Sequence, residues 1–128
     1  MSTAAALLAV FVGAGLGACA RYGLNQTLNH WLPPLPLGTL IANLVGGYLV
    51  GVAIALLAWR SELSPLWRLF CITGVLGGLT TFSTFSAEVV LSLERGQLGW
   101  ALATAAAHLL GSLALTALGL WTVRAAIN

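Results

Sequence analysis

The sequence predicts an all-α membrane protein, four transmembrane helices in a single domain over residues 1–128. Three observations carry that prediction. Apolar residues make up 59% of the chain and charged residues 6%, against roughly 45–50% and about 25% in ordinary globular proteins. Three carboxylates and five arginines, with no lysine, cannot coat a water-facing surface. The charged positions also leave four long uncharged runs, and a hydrocarbon core about 30 Å thick needs roughly 20 apolar residues per helical crossing. A soluble enzyme and a disordered tail are therefore poor readings. The net charge of +2 comes from scattered arginines, so no basic patch points to nucleic acid.

The first run, 2–20, stops at Arg21 and predicts a helix over 4–28. No Lys or Arg precedes Arg21, so the basic start of a secretory signal is missing. The same lack argues against a lipoprotein cleavage box at Leu16-Gly17-Ala18-Cys19. The second run, 22–59, is split at 29–36, where Pro33, Pro34 and Pro36 cannot lie inside a helix. A second helix follows over 37–59. Ser61-Glu62-Leu63-Ser64-Pro65 leads into a third over 66–93, and Glu94-Arg95-Gly96-Gln97 leads into a fourth over 97–124. Trp31, Trp59, Trp67, Trp100 and Trp121 fall near the predicted ends, where interfacial aromatic belts form. Cys19 and Cys71 sit in apolar spans, which suits free buried thiols better than a disulfide.

Four spans put Arg60, Arg68 and Arg124 on one side, against Arg95 and an outward-snorkelling Arg21 on the other. That is almost no positive-inside bias. Such a chain can insert both ways, and two oppositely inserted copies can pair as an antiparallel two-fold dimer. Orientation by a partner, or by the one-residue excess, is the alternative. Four helices leave little room for a polar path, so a second subunit is expected. Gly13 and Gly17, Gly47 and Gly51, and Gly74 and Gly78 have small-xxx-small spacing, for contacts between subunits or within one.

Polar residues inside the spans mark candidate functional groups. Gly77-Gly78-Leu79-Thr80-Thr81-Phe82-Ser83-Thr84-Phe85-Ser86 is a poor continuous helix, with two adjacent glycines and five hydroxyl residues. A break there would free backbone carbonyls able to hold a hard cation. A glycine-kinked but continuous helix is the other form the residues allow. On the fourth helix Thr104, His108, Ser112 and Thr116 repeat every four residues and share one face, as either a wall of a polar track or an interhelical seam. Thr39 and Asn43 have the same spacing on the second helix, and the Asn43 amide needs partners, whether a permeating anion or another helix. Arg21 and Glu88 lie near predicted helix ends, as snorkelling, paired or functional charges. A lone histidine makes no metal site, and no nucleophile–base set appears, so an enzyme is not expected. Phe82 and Phe85, at i,i+3, would share a face if helical, and their electropositive edges suit an anion.

The GGLTTFSTFS stretch from Gly77 to Ser86, with Asn43 before Gly46-Gly47, resembles the Fluc (CrcB) family of fluoride channels. The likeness extends over nearly the whole chain. It implies a third helix broken near its middle and an antiparallel, dual-topology homodimer in the inner membrane, with two pores for fluoride and a central structural sodium ion. By resemblance Phe82 and Phe85 line the pore, Asn43 lies beside them, Ser112 and Thr116 match the polar track, and Gly77 and Thr80 offer carbonyls to sodium. Arg21 matches a basic residue near the pore mouth, and Glu88 an acid following the phenylalanine stretch. Thr39, Ser83 and His108 are further candidate donors, although His108 stands where a small hydroxyl residue is expected and Thr104 where an aromatic hydroxyl can occur. A drug-exporting antiporter of this size would need a carboxylate in the first helix, and residues 1–28 contain none. A non-transporting assembly subunit would explain the glycines but not the hydroxyl-rich stretch and the ladder together.

Overall fold

The computed structural model describes all 128 residues, Met1–Asn128. Four helical segments are long and apolar enough to cross a membrane: Thr3–Trp31, Leu37–Trp59, Pro65–Glu94 and Leu98–Ile127. The chain is a multi-pass membrane protein. The sequence-based boundaries fall close to these, with the fourth span three residues longer at its end than the expected 124.

The helix ends follow from local chemistry. Helix α1 (Thr3–Leu28) starts at Ser2, whose hydroxyl accepts from the Ala5 N–H at 3.1 Å. It tightens into a 3₁₀ turn at Asn29–Trp31 and stops before the prolines. Helix α2 (Leu37–Trp59) follows directly. The third span begins as α3 (Pro65–Arg68), capped by the Ser64 hydroxyl with Pro65 in the first turn, where its missing N–H costs nothing. It continues as a π-helix over Leu69–Leu76 and a short α4 (Gly77–Leu79). Thr80 (φ −88°, ψ 157°) and Thr81 (φ −151°, ψ 116°) are extended. Helical geometry resumes in α5 (Phe82–Glu94), where the Thr81 hydroxyl accepts from the Thr84 N–H at 3.1 Å. Gly96, at φ 73°, reverses the chain into α6 (Leu98–Ile127). The Gly96 N–H donates to the Leu93 carbonyl and the Gln97 N–H to Ser92, a pattern that needs a left-handed residue, and glycine supplies it without strain.

Two seams hold the spans together. The α1 helix lies on the third span, and α2 lies on α6. At Gly17 an added Cβ would overlap the Val75 carbonyl, and at Gly13 it would come within 2.5 Å of the Phe70 carbonyl. Gly74 and Gly78 receive α1 from the other side, and Gly47 and Gly51 receive α6. All three glycine pairs are thus occupied by contacts within one chain.

Only 19 of 128 residues are buried. Besides glycines they are six apolar residues and five polar ones: Thr39, Thr81, Ser92, Thr104 and His108. The large apolar side chains face outward instead, Phe11 at 78% exposure among them, and the five tryptophans are all exposed. This is the distribution a lipid solvent demands, with polar groups turned in and large apolar side chains turned out. Cys19 and Cys71 are free thiols, but Cys19 is exposed on the outer face of α1 rather than buried, because the helix turns Gly17 and not its neighbours toward Val75. Outside the spans, Arg60 and Glu62 form an ion pair whose hydrogen bond holds the Glu62 carboxyl below its usual range. Glu62 is fully exposed, and a pair of this kind adds little to stability.

Candidate functional site

The extended residues at Thr80 and Thr81 interrupt the third span's hydrogen bonding, and the freed backbone groups find side-chain partners. Asn43, from α2, meets Thr81 edge to edge. The Thr81 N–H donates to Asn43 Oδ1 at 2.7 Å, and Asn43 Nδ2 donates back to the Thr81 carbonyl at 3.0 Å. Asn43 Nδ2 also lies 2.9 Å from His108 Nδ1 on α6. Both amide hydrogens are thereby engaged within the chain. Asn43 thus bridges α2 to the third span and to α6. Arg21 Nε–H donates to the Gly78 carbonyl at 3.1 Å. Arg21 is about two turns inside the end of α1 and turns inward to this carbonyl instead of snorkelling outward.

Beside this knot lies an open cavity of about 360 Å³. Asn43, Gly46, Gly47 and Val50 of α2 form one wall, and His108, Leu109, Ser112 and Leu113 of α6 another. The third span contributes Ile72, Leu76, Gly77, Thr80, Thr81, Phe82 and Phe85. No acid or base other than His108 lines it. The Phe82 and Phe85 rings meet edge to face, with centroids 5.4 Å apart at 76°. Phe85 in turn stacks on the His108 ring at 4.6 Å and 29°. Phe82 is 77% exposed, so most of its ring looks away from its own chain.

The structure therefore brings seven of the sequence-derived candidates to one cavity: Asn43, Gly77, Thr80, Phe82, Phe85, His108 and Ser112. The others lie elsewhere. The Thr116 hydroxyl donates to the Gly47 carbonyl at 2.8 Å, and Thr104 donates to Trp100 of its own helix at 2.8 Å. The four-rung face thus divides into two cavity residues and two bonded to backbone. Thr39 is fully buried and donates to Glu88 Oε2 at 2.7 Å, while Asn29 Oδ1 accepts from its N–H at 3.2 Å. Ser83 is exposed and its hydroxyl lies 3.3 Å from that of Thr81.

Three contributors escaped the sequence reading. Thr81 was visible only as part of the hydroxyl-rich stretch, although its backbone is what Asn43 holds. Asn29 resembled a loop residue, and its bond to Thr39 crosses the proline turn. Gly46 figured only in the motif that carries the resemblance; it lines the cavity, and an added Cβ there would overlap the Thr80 methyl group.

Residues 8–120 match the family model described as "CrcB-like protein, Camphor Resistance (CrcB)". The chain is 61% identical over 119 residues to a protein of Burkholderia cenocepacia named "Fluoride-specific ion channel FluC", and the match covers 93% of each chain. It is 59% identical, over the same length and shares, to a protein of the same name from Burkholderia thailandensis. The chain belongs to the CrcB family.

Proposed function

We propose that this member of the CrcB family is a fluoride-specific ion channel of the bacterial inner membrane, a passive pore and not an enzyme. The observation that carries the reading is the near-full-length likeness to relatives named for that conduction. Its chemistry agrees with the cavity. Fluoride holds water tightly, and taking an ion out of water costs several kcal/mol unless new partners replace the lost ones. A conducting site must supply those partners yet hold the ion weakly enough to release it. The cavity has hydroxyl, imidazole and aromatic-edge donors and no carboxylate to repel an anion. Ser112 and His108 provide the polar wall. Phe82 and Phe85 present ring edges, where the electropositive hydrogens lie. Asn43 braces the interrupted backbone beside them.

The working assembly in this proposal is an antiparallel, dual-topology homodimer with two pores and the third helix broken near its middle. The weak charge bias supports it, and so does an open cavity whose Phe82 ring looks outward. A sodium ion at the dimer centre fits the donor chemistry. Gly77 and Thr80 lie beside an interrupted helix, and neutral backbone oxygens are what a hard monovalent cation takes. One chain offers too few, and a second copy would repeat the pair. Sodium would supply positive charge that ties the two interrupted spans together. Arg21, Thr39, Ser83, Glu88 and Thr116 act in support, through the bonds described above.

Fluoride and chloride efflux from liposomes holding only the purified protein tests the function. Fast fluoride release with no chloride release is expected. No release of either from a folded dimer would leave an assembly subunit. Phe82→Ile, which keeps bulk but removes the ring, is expected to abolish fluoride efflux, and unchanged efflux would reduce Phe82 to packing. Transfer to sodium-free buffer is expected to dissociate or inactivate the dimer; an assembled, active channel there would remove the sodium site.

A further inference from the structure

Glu88 is a carboxyl group inside a membrane-spanning segment, on α5 one turn beyond Phe85. Its surroundings offer a negative charge very little. The Thr39 hydroxyl meets Oε2 at 2.7 Å, while Oε1 is buried and has no hydrogen-bond partner. The chain's one ion pair is Arg60–Glu62, so no cationic side chain answers Glu88. The helices packed on α5 are α6 and α2. On α6 the titratable groups are His108, whose Nδ1 faces Asn43, and Arg124 in the last turn. On α2 there is only Tyr48, more than two turns from Thr39. His30 lies in the turn before α2, but Asn29 is the residue there that bonds Thr39. Arg21 of α1 is bonded to the Gly78 carbonyl, and Glu94 and Arg95 stand at the end of α5. An atom already buried in one chain stays beyond the reach of a second copy, so dimerisation adds no partner.

A carboxylate with one hydroxyl for company is costly inside a membrane, and a buried acid so placed neutralises. A water enclosed at Oε1 would complete a hydrogen bond and leave the charge. No cluster of His, Cys or acidic groups surrounds it to hold a metal ion. We infer that Glu88 binds a proton and is carried as the neutral acid, so that no fixed negative charge stands one turn from the cavity. The inference rests on the channel reading for the anion's route, but not for the state of the carboxyl. One helical turn is about 5 Å, and like charges at that separation repel strongly away from water. The proton is thus a switch. Neutral Glu88 lets an anion pass Phe85, and ionised Glu88 opposes it.

Carboxyl-carbon NMR on the whole protein in lipid reads the proton directly. The acidic side chains are Glu62, Glu88 and Glu94. Glu62 and Glu94 are exposed, so Glu62→Gln with Glu94→Gln leaves one side-chain signal without touching Glu88. The resonance of a neutral acid is expected in neutral buffer. A carboxylate resonance there would overturn the inference, whatever any Glu88 variant does. Raising the pH until the signal becomes that of a carboxylate should slow fluoride efflux from liposomes about tenfold, a factor that corresponds to about 1.4 kcal/mol. Glu88→Gln has no such proton to lose, and its efflux should not respond over the same range. Efflux indifferent to the loss of the proton, or a slowing that persists in Glu88→Gln, would remove the switch. A neutral Glu88 in a protein that releases no fluoride would sustain the proton and sink the channel reading instead.

Discussion

The two interspan seams use the same sequence device to opposite effect. Between α1 and the third span, Gly13 and Gly17 bring backbone against backbone, and the contact is close along its length. Between α2 and α6, Gly51 and Gly119 do the same near one end, where an added Cβ on either would overlap a carbonyl of the facing helix. Farther along, Asn43, His108 and Ser112 stand between the helices, and a cavity of about 360 Å³ remains. Small residues close a seam wherever they face each other. This seam opens where polar side chains stand between the helices, with Gly46 and Gly47 beside them. Asn43 bonds the backbone at Thr81, which the third span brings alongside.

Gly17→Val probes the closed seam and carries the largest expected effect. A side chain there must displace the Val75 carbonyl, and overpacking of this kind costs about 3 kcal/mol or more. Unfolding in detergent should show it as a large loss of stability, while Gly23→Ala, with open space around it, should change nothing. A tolerated Gly17→Val would mean the first seam is looser than the second. The knot is next. Asn43→Ala strands the Thr81 N–H, the Thr81 carbonyl and His108 Nδ1, which should lower stability by about 2 kcal/mol and depress fluoride efflux. Adding His108→Ala in a double-mutant cycle should show coupling, since the two residues share a bond. Additive losses would separate them. The smallest effect belongs to Thr116→Val. It removes one hydroxyl bond to the Gly47 carbonyl, worth about 0.6 kcal/mol in a membrane helix, and efflux should persist. A large fall in efflux would place Thr116 on the ion's path after all.

Much of this fold was legible in the chain. An unbroken apolar run long enough to cross a bilayer has few alternatives to a helix, so Pro33, Pro34 and Pro36 and the charged turn at 94–95 mark the boundaries closely. The i,i+4 spacing of Thr104, His108, Ser112 and Thr116 correctly put them on one face, because helical geometry is local. Which rungs line the cavity was not legible: a hydroxyl bonds whatever backbone lies within reach, and the Thr116 hydroxyl reaches the Gly47 carbonyl while Ser112 lines the cavity. The eight-residue π-helix at Leu69–Leu76 had no sequence mark either, since Leu, Ile and Val fit α and π turns alike.

By itself the sequence determined the solvent, the number of crossings, the turns between them and the short list of polar residues that lipid would force inward. Those are consequences of hydropathy and of proline and glycine geometry, which act over a few residues. Tertiary structure decided the partners. It set Asn43 against Thr81 and His108, joining residues 38 and 65 positions apart, and it spent the glycine pairs within one chain. A hydrogen bond needs its two groups within about 3 Å and correctly aimed, and only the packed arrangement of all four spans meets that condition.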